Sequence, residues 1–258
     1  MYNTLLTSLE NNILLVTINR PDKLNALNQQ VMQDLDKVLN EIYENKNIKS
    51  VIITGSGNKS FVAGADIGEF VGATNEQGKL LAMNGQTIFS KIENCPKPIV
   101  AAVNGFALGG GCELAMSCHF RIATENAKFG QPEVNLGLIP GYGGTQRLVQ
   151  LIGKGRALEL LMTGNMVDAT SALQFGLINH LVSQEELIPK AIQILTTINN
   201  KAPLAVAGCI TAANAVFDEK QNGFLTEIEE FGKCFDTADM KEGTSAFLEK
   251  RKPNFCGC

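Results

Sequence analysis

The chain has 258 residues, 45% of them hydrophobic, and its 26 acidic and 22 basic side chains give a net charge of −4. That length suits one large domain, or a domain with an appendage, that buries roughly 70–75% of the surface of the unfolded chain. The acidic balance excludes a general nucleic-acid binder, which needs an excess of basic residues to neutralise phosphates. Three adjacent cations, Lys250, Arg251 and Lys252, are too few to change this and are expected to be solvated.

The sequence carries no sign of targeting or of a membrane span. No basic residue precedes Arg20 and no small-residue cleavage site follows an apolar core, so we expect neither a signal peptide nor a transit peptide. The longest apolar runs, such as residues 98–103, have the length of a strand, whereas a membrane helix needs about 20 residues. We therefore expect a cytoplasmic protein that does not bind a membrane.

The cysteines predict reduced thiols and no metal. They are seven, an odd number, and lie scattered among apolar neighbours. Cys256 and Cys258 form the one close pair, but two thiols on a tail lack the two further ligands that a soft metal needs.

The first elements of the chain alternate between strand and helix. Residues 3–19 predict a hairpin, and apolar spacing predicts a helix over 28–45. A buried strand at 51–54 leads into a glycine-bearing loop at 61–66. Residues 67–79 are weakly patterned and glycine-rich, which predicts a mobile segment.

A second cycle and an all-helical tail follow. The further predicted helices are 80–94, 109–117, 157–162, 171–175 and 185–198, and the further predicted strands are 98–103, 119–123 and 178–182. Residues 203–252 show three helical segments and no strand pattern. We therefore predict an α/β core at 1–198 and a C-terminal helical region at 199–258, which is too short to fold alone and must pack on the core or on a neighbouring subunit.

Several common chemistries lack their motifs. His119 and His180 both lie in apolar, strand-like runs, where a structural role is more usual than metal binding. No Gly-x-Ser-x-Gly elbow and no Gly-x-x-x-x-Gly-Lys-Ser/Thr loop is present. The glycine run at 141–144 departs from a dinucleotide fingerprint because Gln146 stands where the third glycine belongs.

Two glutamates in glycine-rich surroundings are the stronger candidates. Glu113 follows three consecutive glycines, 109–111, at the start of a short apolar helix, and Glu133 follows Pro132 in the next loop. Each could be an ordinary residue, Glu113 stabilised by the helix dipole and Glu133 a surface acid. The glycines favour function, because they bring backbone N–H groups close to a ligand at a cost in entropy. One carboxylate to take a proton, one carboxylic acid to give one, and N–H donors for the developing oxyanion suit the chemistry of a thioester enolate.

These residues belong to several motifs that, in this order, resemble the crotonase, or enoyl-CoA hydratase, superfamily. The resemblance spans nearly the whole chain and rests on residues 19–27, 61–66, 102–114, 129–145 and 242–251. It implies a crotonase-like spiral of ββα units with a C-terminal helical trimerisation region, assembled as a homotrimer or homohexamer. It also implies an acyl-CoA thioester substrate and no separate cofactor, since CoA is part of the substrate.

The resemblance also implies roles for individual residues. Glu113 and Glu133 match the catalytic pair, and the N–H groups of Ala65 and Gly110 match the oxyanion hole. The remaining positions matched to CoA binding are Ala63, Asp66, Ile67, Gly68, Phe247 and Lys250, the last two reaching from a neighbouring subunit. Gly68 departs from some hydratases, which carry a lysine there near the adenine.

The presence of both glutamates favours hydration of the C2=C3 bond of a trans-2-enoyl-CoA to a 3-hydroxyacyl-CoA. Glu113, with Glu133, is assigned to the water and Glu133 to the proton on C2, a division that depends on the mechanistic model. An enoyl-CoA isomerase or a 3-hydroxyacyl-CoA dehydratase of the same superfamily is the alternative. An RNA-binding, non-enzymatic role is the alternative of another class, and the acidic charge argues against it.

Overall fold

A computed structural model describes residues 2–258 of the chain. It contains two sheets surrounded by helices. In chain order the strands are β1 (Leu5–Glu10), β2 (Ile13–Ile18), β3 (Ser50–Gly55), β4 (Ser60–Val62), β5 (Ile99–Val103), β6 (Phe106–Leu108), β7 (Phe120–Thr124), β8 (Lys128–Gly130), β9 (Met166–Asp168) and β10 (His180–Val182). The α-helices are α1 (Gln29–Glu44), α2 (Asn75–Glu93), α3 (Gly110–Ser117), α4 (Gly144–Ile152), α5 (Lys154–Thr163), α6 (Ala169–Phe175), α7 (Leu187–Asn199), α8 (Pro203–Asn214), α9 (Gly223–Cys234) and α10 (Ala238–Leu248).

The larger sheet has the order β1-β2-β3-β5-β7-β10 and the smaller one β4-β6-β8-β9. β1 pairs with β2 as the predicted antiparallel hairpin, whereas β2, β3, β5, β7 and β10 run parallel. After each of β3, β5 and β7 the chain enters the smaller sheet for one short strand and then forms a helix. This repeated order is the predicted spiral of ββα units, and the prediction is confirmed.

The strands of the larger sheet are buried on both faces. Alternate residues point to opposite sides, as a period of two requires. Val51 and Ile53 of β3 belong to the main core, whereas Ile52 belongs to a second cluster beneath α7 that includes Leu187 and Leu195. Burial on both faces explains why the sequence shows continuous apolar runs here instead of alternation.

The predicted helices and strands agree with the structure to within a few residues, with three kinds of difference. Helix α2 begins at Asn75, five residues before the predicted start, under a capping box formed by Thr74 and Gln77. The strands β4, β6, β8 and β9 were missed because each has only three residues. Helix α4 was missed because the glycines before it indicate a loop, although Leu148 and Ile152 have the spacing of a buried helix face.

The C-terminal region consists of helices, as predicted, and exposes a broad apolar surface. Helix α9 has no buried residue within one chain. Its aromatic and aliphatic side chains recur on one face and remain largely exposed, namely Phe224, Leu225, Ile228, Phe231 and Phe235. Such a stripe on a helix marks a surface that another element covers.

The prediction of reduced thiols is wrong for the C-terminal pair. Cys256 and Cys258 are joined by a disulfide, while Cys95, Cys112, Cys118, Cys209 and Cys234 are free. Gly257 between them has a φ of +77°, which turns the chain and leaves the two Cα atoms 5.6 Å apart, within the range of disulfides. Sequence spacing alone did not show this turn.

Within residues 2–258, no helix combines the length and the apolar character that crossing a bilayer requires.

Candidate active site

The smaller sheet brings three loops to one edge. β4, β6 and β8 are parallel neighbours, with Ser60 beside Phe106 and Phe106 beside Lys128. Because the carboxyl ends of parallel strands lie at the same edge, the segments that follow these strands meet there. They carry Ala65, Gly110 and Glu133, so residues up to about 70 positions apart in the chain share one site.

Two glycines with positive φ shape the place predicted as the oxyanion hole. Gly64 has a φ of +108° and Gly109 a φ of +49°, and each directly precedes one of the two predicted donors. A methyl group on Gly109 would lie 3.8 Å from Gly64 Cα, so the two turns are adjacent in space. Gly110 opens α3, where the first N–H groups have no partner within the helix. Ala65 is held by the bridge between it and Leu27.

Glu113 lies in the first turn of α3 and is almost entirely buried, with 2% of its surface exposed. The backbone N–H groups of Tyr142 and Gly144 both donate to its Oε1, each at 2.7 Å. These two bonds fix one carboxylate oxygen against the loop before α4. Among residues 2–258, no hydrogen bond involves the other oxygen, Oε2.

The pKa values of both glutamates are raised above the ordinary value. Desolvation raises the pKa of Glu113 to about 7, and the negative charge of Glu133 adds to the rise. The N–H groups of Gly144 and Tyr142 and the cation of Arg147 oppose it. Burial also raises the pKa of Glu133. A carboxyl group with a pKa near neutrality can both accept and return a proton at physiological pH.

Sequence analysis missed Gln131, which lies between the strand β8 and Glu133 and is buried. When its side-chain amide is oriented to donate, its nitrogen lies 3.0 Å from Oε1 and 3.1 Å from Oε2 of Glu133. A side chain added at Gly144 would also meet Gln131, at 2.8 Å, and Glu113 Oε1, at 2.9 Å. Gln131 therefore lies close to both glutamates, and its position two residues before Glu133 was the only sequence signal.

Tyr142 was also missed as a site residue. Its ring stands edge-on to Phe89 of α2, with 5.6 Å between ring centroids and an angle of 88°. The ring also fills the space beside Gly85, where any added Cβ would overlap it. Through these contacts with Phe89 and Gly85, the Tyr142 ring packs the loop before α4 against α2.

A cavity of about 1050 Å³ opens at this site. Its wall includes both glutamates and, of the residues predicted to bind CoA, Ala63, Ala65, Ile67 and Gly110. Asp66 instead forms an ion pair with Arg20, at 3.2 Å. Phe247 and Lys250 lie in the C-terminal region and are not part of this wall within one chain. Their predicted reach across a subunit boundary stays a prediction.

Among residues 2–258, no group of three or more His, Cys, Asp or Glu side chains is placed to hold a metal ion. His119 has a structural role, because its Nδ1 accepts the Ile99 N–H at 2.8 Å.

Comparison with known proteins gives one consistent result. The sequence model of the enoyl-CoA hydratase/isomerase family matches residues 8–257. The chain is 46% identical over 251 residues to the short-chain-enoyl-CoA hydratase of Clostridium acetobutylicum, covering 97% of this chain and 96% of that protein. It is also 46% identical over 255 residues to the crotonyl-CoA hydratase of Syntrophomonas wolfei, covering 98% of each.

Solved structures agree. The crystal structure of an enoyl-CoA hydratase from Bacillus anthracis superposes with a TM-score of 0.93 at 38% identity, covering 99% of this chain and all of that one.

Proposed function

The chain belongs to the enoyl-CoA hydratase/isomerase family, and from this premise we infer that it is an enoyl-CoA hydratase. It adds water across the C2=C3 bond of a trans-2-enoyl-CoA to give the 3-hydroxyacyl-CoA. The observation that carries this function is the pair Glu113 and Glu133 in one cavity beside the N–H groups that follow Gly64 and Gly109. Two carboxyl groups and two donors are what this reaction needs.

The proposed roles follow from the geometry. The thioester oxygen accepts hydrogen bonds from the N–H groups of Ala65 and Gly110. These hydrogen bonds stabilise the enolate oxygen as negative charge develops there. Water lies between the glutamates, where Glu113 Oε2 is available because Oε1 already accepts two N–H groups. One water proton goes to the carboxylate of Glu113 as the water oxygen bonds to C3, and C2 receives a proton from the carboxyl group of Glu133. A later proton transfer from Glu113 to Glu133 restores the enzyme, so the product has the composition of the substrate plus one water.

Gln131 supports this division of work. An amide that donates to both oxygens of Glu133 holds that carboxyl group at a fixed angle to the cavity. Hydrogen bonds from the amide favour the ionised form of Glu133, but an uncharged donor does so less than a cation would. Burial acts in the other direction and raises the pKa of Glu133.

Turnover of crotonyl-CoA, followed at the ultraviolet absorbance of the conjugated thioester, tests the function. Loss of that absorbance with formation of 3-hydroxybutyryl-CoA is expected. Formation of a conjugated product from a 3-enoyl-CoA, without hydration, would instead identify an isomerase.

We propose short acyl chains as preferred substrates, since two relatives at 46% identity are named for short-chain and crotonyl substrates. A higher kcat/KM for decenoyl-CoA than for crotonyl-CoA would contradict this preference.

We further propose that the protein assembles as a homotrimer or a dimer of trimers through the helical C-terminal region. Support comes from α9, whose apolar face is exposed in a single chain, and from the exposed side chains of Phe247 and Leu248. In such an assembly Phe247 and Lys250 contact the CoA of a neighbouring subunit, with Lys250 pairing with a phosphate. Within the subunit Ile67 lines the cavity, and we propose that the adjoining Asp66 and Gly68 contact the CoA beyond the cavity wall. We propose a cytoplasmic location, which cell fractionation would test.

A further inference from the structure

Arg147 of α4 is a buried cation that takes no direct part in the proposed reaction. Its Nε donates to Glu93 Oε1 at 3.1 Å and its Nη2 to Glu93 Oε2 at 2.7 Å, a two-pronged ion pair. Such a pair fixes the plane of the guanidinium group as well as its position. The third nitrogen of the guanidinium group, Nη1, makes no hydrogen bond to Glu93 and can donate to another acceptor.

Nη1 contacts the loop whose N–H groups bind Glu113. Arg147 Nη1 donates to the carbonyl oxygen of Tyr142 at 3.0 Å. The N–H of the same residue, Tyr142, donates to Glu113 Oε1. The guanidinium group also lies against Gly143, because a methyl group there would meet Nη1. Arg147 therefore contacts the Tyr142–Gly144 segment, whose two N–H groups bind the buried carboxylate of Glu113.

Glu93 is itself held from two sides. Its carbonyl oxygen accepts a hydrogen bond from Asn214 Nδ2 at 2.8 Å. His119 Nε2 lies 3.2 Å from the same oxygen and donates to it, because its Nδ1 accepts the Ile99 N–H. The end of α2 is therefore anchored to β5 and to the C-terminal helical region, and Glu93 gives Arg147 a rigid support.

We propose that Arg147, fixed by Glu93, is a positioning residue that holds the Tyr142–Gly144 segment and thereby orients Glu113 for proton transfer. This inference rests on the proposed hydratase function. Arg147 touches no reacting atom and acts through the loop.

The charge of Arg147 gives the proposal a second readout. The charged and titratable groups that face Glu113 are Glu133 from the loop after β8, Arg147 from α4, and the neutral side chains of Tyr142 and Cys112. The cation of Arg147 opposes the rise in the pKa of Glu113, so its removal raises that pKa further. The acid limb of the kcat/KM profile, where Glu113 must ionise, then moves to higher pH. Removal of the negative charge of Glu93 leaves the cation of Arg147 less neutralised, which lowers the pKa of Glu113. The acid limb then moves to lower pH.

The experiment compares Arg147→Met, Arg147→Lys and Glu93→Gln in hydration of crotonyl-CoA. For Arg147→Met we expect kcat to fall about 10–100-fold with KM changed less than about threefold, since misplacement of a catalytic group acts on the chemical step. Arg147→Lys keeps the charge but not the fork, so its acid limb stays near that of the wild type while kcat remains reduced. Glu93→Gln also lowers kcat, with the limb shifted to lower pH.

Lys91→Met is the matched control, because it removes another ion pair of α2, the one with Asp36 of α1, which makes no hydrogen bond to the Tyr142–Gly144 segment. It should lower stability without moving kcat or the pH profile. If Arg147→Met and Glu93→Gln lose activity only in step with their unfolding midpoints, or shift the limb in the same direction, the positioning role is wrong. Should Arg147→Met fail to fold, the Lys and Gln variants carry the test. A wild-type enzyme that does not hydrate crotonyl-CoA would overturn the function itself, whereas unaltered variants of an active enzyme would overturn only this inference.

Discussion

Gly109 and Glu133 lie in direct contact across the site, since a methyl group on Gly109 would sit 2.7 Å from Glu133 Oε1. The absence of a side chain at Gly109 therefore leaves the space that the carboxyl group of Glu133 occupies. Two observations explain why this position is glycine. Its φ of +49° is unfavourable for residues with a side chain, and the carboxylate of Glu133 fills the space that a side chain would occupy.

Gly109→Ala should lower kcat about 100-fold, because the methyl group displaces Glu133 and a shift of about 1 Å in a catalytic group has an effect of this size. Steady-state kinetics with crotonyl-CoA measures it. Gly57→Ala is the matched control, because Gly57 also has a positive φ, +76°, but open space around it. A similar loss of kcat in both variants would mean that backbone strain, not contact with Glu133, is the cause.

Glu113→Gln and Glu133→Gln should each lower kcat by roughly 10²–10⁴ with little change in KM, since the carboxyl groups act mainly in the transition state. The double variant should lose much less than the product of the two single losses, because removal of either group already stops the concerted transfer. Rate measurements on all four proteins test this. Small, additive losses that track stability would show that the glutamates are structural. Retention of most hydration by Glu133→Gln would favour a mechanism with one acid, as in an isomerase.

Gly110→Pro removes one proposed oxyanion donor, while its place at the first position of α3 is one that proline tolerates. We expect kcat to fall about 10²–10³-fold, the usual effect of losing one such donor. Gly110→Ala keeps the N–H and brings its methyl group only to the flexible end of Leu27, at 3.2 Å, so it should lose far less. A folded proline variant with near-normal kcat would place the enolate elsewhere.

The raised pKa of Glu113 makes stability depend on pH. Between the ordinary value of 4.5 and the folded value of about 7, the native protein binds a proton that the unfolded chain has released, so stability falls as pH rises through this window. At about 1.4 kcal/mol per pKa unit, the loss amounts to about 3 kcal/mol. Glu113→Gln removes the titrating group and should be more stable than the wild type by about that amount at pH 8, but not near pH 4.5. Urea unfolding at both pH values and at one protein concentration measures this, and an equal difference at both would contradict the burial argument.

The apolar face of α9 should control assembly. Phe231 is 66% exposed in one chain, and Phe231→Asp should convert the oligomer to smaller species by placing a charge in a covered apolar interface. Light scattering at micromolar concentration measures the mass. Leu6→Asp, on an exposed position of β1, is the control and should leave the mass unchanged. A wild-type protein that is a stable monomer would remove both the trimer and the role of Lys250 across subunits.

Sequence patterns located the larger sheet and most helices because these elements are long enough to show a period. The β3 strand is a continuous apolar run, and α1 repeats its apolar residues over sixteen positions after the Asn28 cap. Strands of three residues, such as β6, carry no period, and so the sheet that builds the site was not predicted. Its loops were still identified, because glycine runs and carboxyl groups are visible one residue at a time.

By itself, the sequence determined that Glu113 and Glu133 are the candidate acids, that glycines precede Ala65 and Gly110, and that the tail is helical. These properties are local, since residue type and spacing express them. Only the tertiary structure decided that Gln131 faces Glu133, that Arg147 is tied to Glu93, and that two backbone N–H groups take one oxygen of Glu113. Such contacts join residues up to 54 positions apart, and the desolvation that raises the pKa of Glu113 exists only once the surrounding helices and loops have packed around it.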